Sequence, residues 1–287
     1  MVDFHVVIPA RFASTRLPGK ALLPIAGKPM VVRVAEQAAK SGAQQIWIAT
    51  DHPAIAAAVH EHGFKSCLTH MHHASGTDRI AEVVEQHNWP DDTIVVNVQG
   101  DEPLIPPALI RAVAQHLHDH PECAIATACH PIHEEEALRN PNIVKAVLDK
   151  NGNALSFSRA PIPYPREKFM SSSAGRDDCS SSLRGEVGRG VPTPSLALPH
   201  GEREYLSVAL RHIGIYAYRA SFLRIFCHLA PAAIEQIEAL EQLRALWHGY
   251  KIGVTVTADA PPGGVDTEQD LHSARKQFDA AYNPATN

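Results

Sequence analysis

Three short stretches carry residue types and spacings that could do chemistry on a phosphorylated substrate. The first is RFASTRLPGK, residues 11 to 20, which sets Arg11, Arg16 and Lys20 in one loop directly after the apolar run FHVVIPA. A planar guanidinium and a point-charge ammonium together suit a triphosphate, and the carboxyl end of a first strand is where an open α/β sheet holds such groups. The second is VVNVQGDEP, residues 95 to 103, an apolar strand running into Gln99, Gly100 and Asp101. A carboxylate beside a triphosphate suits Mg²⁺, a hard cation that takes oxygen ligands. The third is GGVDT, residues 263 to 267, where Asp266 is either a second metal carboxylate or an N-cap in competition with Thr267. Taken singly, the first stretch also reads as a solvated basic turn and the second as a turn closed by Asp-Glu-Pro.

Two common nucleotide loops are excluded. A dinucleotide fingerprint needs G-x-G-x-x-G after the first strand, and residues 4 to 15 hold no glycine. A Walker A loop needs an earlier glycine and a Ser or Thr after Gly19-Lys20, where Ala21 stands. The opening loop is therefore neither an ATPase loop nor a hydride-transfer loop, and its Arg11 and Lys20 suggest side-chain clamping of a triphosphate.

The elements that position these loops alternate. HVVI, QIWIA, KSCL and TIVVNV read as short apolar strands. Helical patterns lie between them at 31–40, 54–61 and 79–86, and a further one follows at 109–117. This rhythm predicts a mostly parallel sheet covered on both faces. After Cys123 it changes: AIATACHPI, NIVKAVLD and ALSFSRAP predict added strands forming a lid or dimer surface. A helix is predicted over 234–247, with Ile237, Leu240, Leu243 and Trp247 on one stripe and Glu241 and Gln242 off it. A strand IGVTVT and a closing helix from Glu268 end the pattern. Residues 171–204 are rich in Ser, Gly, Pro and Arg without periodicity and read as a flexible insertion in a single domain spanning 1–287.

Bulk properties narrow the class. The chain has 287 residues with a net charge of −5, which disfavours a nucleic-acid surface. No apolar run approaches a membrane span and no signal segment opens the chain, so a cytoplasmic enzyme is expected. The five cysteines lack paired metal spacing and read as reduced thiols. Cys67, His70, His72 and His73 invite a zinc reading, but the irregular spacing favours a surface loop.

IPARFASTRLPGK, SGTDRIAEVV, VNVQGDEPLI, FSRAPIP, RHIGIYAYR, IEALEQLR and GVDT occur in this order. Together they resemble the 3-deoxy-manno-octulosonate (Kdo) cytidylyltransferases, also called CMP-Kdo synthetases, over nearly the whole chain except 171–204. The resemblance implies a Rossmann-like nucleotidyltransferase fold with a smaller strand-rich lid or dimerisation subdomain. It implies a Mg²⁺-dependent homodimer that makes CMP-Kdo and pyrophosphate from CTP and Kdo, for lipopolysaccharide. Matching residue by residue, it puts Arg11 and Lys20 on the triphosphate, makes Arg16 a further nucleotide contact or a loop support, and sets Ser75 and Arg79 near the nucleotide. It makes Asp101 and Asp266 the metal carboxylates. It places Gln99, Arg159, His212, Tyr216, Glu241 and Gln242 on the sugar-acid side. Pro262 departs from the glycine expected before Asp266. A CMP-sialate type enzyme and a silent nucleotide-binding module are the alternatives.

Overall fold

The computed structural model describes residues 2–14, 16–164, 166, 206, 208–258 and 260–282. The segment 171–204, read above as an insertion, lies outside the described residues.

The chain opens with β1 (Phe4–Ala10), a one-turn 3-10 helix (Lys20–Leu22) and a small hairpin of β2 (Pro24–Ile25) and β3 (Lys28–Pro29). The alternating part follows: α1 (Met30–Ala39), β4 (Gln45–Thr50), α2 (Pro53–Glu61), β5 (Lys65–Leu68), α3 (Gly76–Gln86), β6 (Ile94–Asn97) and α4 (Pro107–Asp119). Then come β7 (Ile125–Pro131), α5 (Glu135–Arg139), β8 (Lys145–Leu148), β9 (Ala154–Ser158) and β10 (Leu210–Arg219). The chain continues through α6 (Ala220–Phe226), α7 (Ala233–Glu238), α8 (Gln242–Trp247), β11 (Ile252–Val256) and α9 (Glu268–Tyr282).

The main sheet runs β11-β7-β10-β6-β1-β4-β5, and β8 pairs with β10 and with β9. β1, β4, β5 and β6 are mutually parallel, as are β7 and β11, while β10 lies antiparallel to β6 and β7. The mostly parallel sheet is as expected. The antiparallel ten-residue β10 at its centre was not drawn from the strand–helix rhythm.

Alternation along β1 assigns the two faces. Val6 and Ile8 join α1, α2 and α4 in one core; Val7, with Ala49 and Val95, joins α3 and α6 in the other. The chain walks outward from β1 to β4 and β5, then returns to β6 on the other side of β1. The β1/β6 boundary is therefore a topological switch point, where loops after neighbouring strands diverge and leave a crevice.

The single helix predicted over 234–247 is two short helices. Ala239 stands between them in the left-handed region at φ 50°. Glu235, buried under Arg244 with its guanidinium bonded at 2.5 to 3.2 Å, also accepts from Ala232 N and locks the break. The predicted stripe is split: Leu240 and Leu243 are buried, whereas Ile237 is 84% and Trp247 64% exposed.

Candidate active site

At the β1/β6 switch point the loops after the two strands, with the segment entering α9, enclose a cavity of about 330 Å³. That volume is at the lower end of the range for small-molecule sites. Arg11, Arg16, Lys20, Gln99, Asp101 and Asp266 all line it. Six of the expected residues, from three distant segments, therefore share one crevice.

Local folding explains how each arrives. Gly19 takes φ 65°, a left-handed turn that an L side chain rarely adopts, and starts the 3-10 turn that aims Lys20 inward. Phe12 N donates to Asp51 Oδ1 at 3.2 Å and the Phe12 ring stacks on His52 at 3.9 Å, so the opening loop is pinned to the end of β4. Gly100 sits where a Cβ would lie 2.7 Å from the Pro9 carbonyl oxygen, so only glycine lets the loops after β1 and β6 meet this closely. Val265 N donates to the Asp101 carbonyl at 2.8 Å and ties the segment before α9 to the loop after β6. Thr267 and Asp270 bond each other's backbone N–H and so cap α9. Asp266 is thereby released from capping to face the cavity.

The electrostatics centre on one ammonium. Lys20 Nζ lies 2.6 Å from Asp101 Oδ2 and 3.0 Å from Asp266 Oδ1, and Arg16 reaches the same Asp266 oxygen at 3.0 Å. Burial alone would pull the Lys20 pKa down; Asp101 and Asp266 outweigh it and hold the pKa above its ordinary value. Next in sequence, Glu102 is pushed up to about 8 by burial and by Asp101. Near neutral pH Glu102 is therefore largely protonated, and Asp101 is the member of the pair that meets Lys20.

Could the site hold a divalent metal? Two carboxylate oxygens converge on a single cation-sized point, the Lys20 Nζ position. Among the described residues no group of three or more His, Cys, Asp or Glu could hold a metal. Two carboxylates fit Mg²⁺, which keeps several waters and takes its remaining oxygens from substrate phosphate. Cys67 bonds Gln86, and His73 bonds Glu82, so this cluster is turned onto α3.

The other expected residues lie beyond the cavity's edge. Ser75 is the N-cap of α3, in a capping box with Asp78, and stands next to Gly76 in the lining. Arg79 is fully buried. It bonds Asp51 Oδ2 at 3.1 Å and Thr69 Oγ1 at 2.5 Å and does not line the cavity. Glu241 accepts from Thr77 Oγ1 at 2.7 Å. Burial pushes its pKa up against hydrogen bonds from Ser75 and Thr77. Glu241 Oε1 and Gln242 Nε2 are buried polar atoms without a protein partner, which is the condition of groups built to meet a ligand. Arg159 is tied down by the Glu238 and Pro141 carbonyls at 2.7 and 3.0 Å.

His212 and Tyr216 share a face of β10, with ring centres 5.3 Å apart, across a bulge at residues 214 and 215. Thr127 Oγ1 staples that bulge, bonding the Ile215 carbonyl at 2.7 Å and approaching His212 Nε2 at 2.9 Å. A Cβ on Gly214 would meet nothing within 4 Å, so the space beside the bulge is open at this position.

Sequence reasoning missed the polar chain joining the two regions. Gln99 Nε2 approaches Asn97 Oδ1 at 3.5 Å, and Tyr218 bonds both Asn97 and Thr77, which in turn holds Glu241. Thr77 lies inside the SGTDR motif, and Asn97 interrupts an otherwise apolar strand; both were readable as buried polar groups needing partners.

Burial pushes the His212 pKa from 6.5 down to about 3. The unfolded chain takes up this proton below about pH 6.5 and the folded chain does not until about pH 3. His212 therefore costs stability as pH falls through that window, at about 1.4 kcal/mol per pH unit. His212→Asn is expected to flatten the acid limb of a plot of unfolding free energy against pH by one proton's share. An unchanged slope would show that the imidazole titrates normally.

A fold with its crevice at the β1/β6 switch point, lined by a basic loop and two carboxylates, is that of a nucleotidyltransferase. Residues 5–252 match the cytidylyltransferase family model, and the chain belongs to that family. It is similar to the solved structure of a CMP:2-keto-3-deoxy-manno-octonic acid synthetase complexed with CTP. The two are 37% identical, the match covers 98% of this chain and 100% of the other, and the TM-score is 0.79.

Proposed function

We propose that this protein transfers CMP from CTP to 3-deoxy-D-manno-octulosonate. A sugar-acid hydroxyl oxygen forms the new bond to the α-phosphorus and gives up its proton to solvent, the bond from that phosphorus to the oxygen it shares with the β-phosphate breaks, and pyrophosphate leaves with the charge it gains. The single observation that carries the reading is the meeting of Lys20, Asp101 and Asp266 in one crevice within a cytidylyltransferase fold.

Arg11, Arg16 and Lys20 hold the triphosphate, Ser75 and Arg79 serve the nucleotide side, and Asp101 and Asp266 hold Mg²⁺. The ion would supply charge neutralisation at the phosphates. Arg79 serves at one remove, through Asp51 and the loop that Asp51 pins. Gln99, Arg159, His212, Tyr216, Glu241 and Gln242 meet the sugar acid. With its depressed pKa His212 meets it as a neutral hydrogen-bonding group, and the positive charge falls to Arg159. The Asn97–Tyr218–Thr77 chain fixes the sugar side relative to the phosphate side.

The enzyme acts as a cytoplasmic homodimer in lipopolysaccharide assembly. Exposed Leu155, Ile237, Trp247 and Val256 offer apolar surface for a second copy. No described helix is long and apolar enough to cross a membrane.

The test is formation of CMP-Kdo from CTP and Kdo with Mg²⁺, followed by pyrophosphate release. Lys20→Ala and Arg11→Ala are expected to lower kcat/KM for CTP about a hundredfold, since each removes a charge from the leaving group's side. If CTP kinetics are unchanged while Kdo saturation shifts, the basic loop serves the other substrate. No CMP-Kdo from the wild-type protein, with another sugar acid turned over instead, would overturn the substrate assignment.

A further inference from the structure

One ammonium spans both carboxylates at the point on which they converge. Lys20 Nζ donates to Asp101 Oδ2 at 2.6 Å and to Asp266 Oδ1 at 3.0 Å, and the Lys20 side chain is only 16% exposed. An ammonium seated on those two oxygens competes with a divalent ion for them, and the two cations repel each other at that distance. We propose that Lys20 is a built-in counter-ion for this pair, so that divalent metal and triphosphate bind with positive coupling as Lys20 passes from the carboxylates to the phosphates. The inference rests on the assignment of Asp101 and Asp266 as metal ligands.

The surroundings fit such an exchange. The backbone that carries the two carboxylates is held independently of Lys20. Val265 N bonds the Asp101 carbonyl at 2.8 Å, and the Asp266 and Thr267 N–H groups are fixed by Asp270 at 3.1 and 2.8 Å. The backbone that brings the pair together therefore stays in place when the ammonium leaves. Lys20 itself sits on a one-turn helix with a four-carbon stem, so its charge can move while its backbone stays, held by Lys20 N to the Leu17 carbonyl at 3.1 Å.

Arg16, on the same Asp266 oxygen and 67% exposed, is a second cation that a triphosphate can draw away. Metal arriving alone meets two resident cations. Metal arriving with a polyanion meets two carboxylates those cations have released. A ligand that removes a competitor for the other's site must gain from it in equal measure, which is the reciprocity of coupled binding.

The experiment is equilibrium Mn²⁺ binding to the full chain without nucleotide, followed by the paramagnetic resonance signal of free Mn²⁺. Lys20→Gln is expected to bind Mn²⁺ about tenfold or more tighter than wild type, equivalent to about 1.4 kcal/mol. Lys20→Arg, which keeps the charge, should stay near wild type, and Lys20→Gln combined with Asp101→Asn should lose the gain. Melting curves on the same samples confirm folding.

If Lys20→Gln binds Mn²⁺ no tighter, while Asp101→Asn still weakens Mn²⁺ binding with CTP present, the counter-ion role is overturned and the metal assignment stands. An equal gain in Lys20→Arg also overturns it, since charge would not be the cause. If Asp101→Asn leaves Mn²⁺ binding untouched with and without CTP, the metal assignment fails and the inference fails with it.

Discussion

Asp101→Asn is expected to lower CMP-transfer turnover about a hundredfold or more while leaving the folded state intact, because displacing a reacting phosphate by as little as an ångström costs about that much. The substitution keeps the side chain's size and removes its charge. Asp101 holds one side of the Lys20 ammonium, so the same change also frees Lys20 from its 2.6 Å partner. Asp266→Asn should behave alike but less severely: its carboxylate is 46% exposed, against 32% for Asp101, and Arg16 and Lys20 share one of its oxygens. Single-turnover rates at saturating CTP, Kdo and Mg²⁺ separate this effect from binding. Near-normal rates in both variants would remove these carboxylates from the chemistry.

Arg79→Met is the second large effect, and it falls on stability. The Arg79 side chain is fully buried and that of Asp51 is 12% exposed, so little solvent screens the pair. Removing one partner of a buried ion pair strands the other and costs about 3 kcal/mol or more. For a chain of this size that is roughly a 6 °C fall in Tm. Arg79→Met with Asp51→Leu should recover much of the loss, because an apolar pair replaces a stranded charge. CTP use should stay impaired in the double variant, since Phe12 N loses its acceptor and the basic loop loses its anchor at β4. If Arg79→Met melts with the wild type while CTP affinity falls, Arg79 acts on the nucleotide directly.

The legible part of this molecule was the part in which local pattern and tertiary role agree. Apolar runs became β1, β4 and β6, and the loops closing β1 and β6 supplied the cavity. Asp266 was readable only as a choice between capping and ligation. Thr267 and Asp270 settle that choice by making the cap themselves.

Two features ran against local signals. Ala239 is of the residue type most at home in a helix, yet it breaks one, because Glu235 is held by Arg244 across the break and tertiary bonding outweighs propensity. The placement of β10 between β6 and β7 depends on strands far apart in sequence, which no local window contains. Arg79 shows a third limit. A basic residue in a motif shared with nucleotide-handling proteins reads as a ligand contact, but its helix face turns it inward to Asp51.

The placement of β10 also governs the order in which the sheet can be completed. Among the described residues β7 finds its sheet partners only in β10 and β11, both later in the chain, and β6 pairs with β1 on one side alone until β10 is made. A chain emerging from the ribosome therefore carries β5-β4-β1-β6 as a half-sheet with an open apolar edge, and β7 with no ladder at all. The two halves join only when Leu210–Arg219 slides between them, a late and long-range event of the kind that makes folding slow and unpaired edges adhesive. Thr127, which bonds the Ile213 and Ile215 carbonyls across the β10 bulge, seals this seam, so the residue that shapes the face beside His212 also closes the fold.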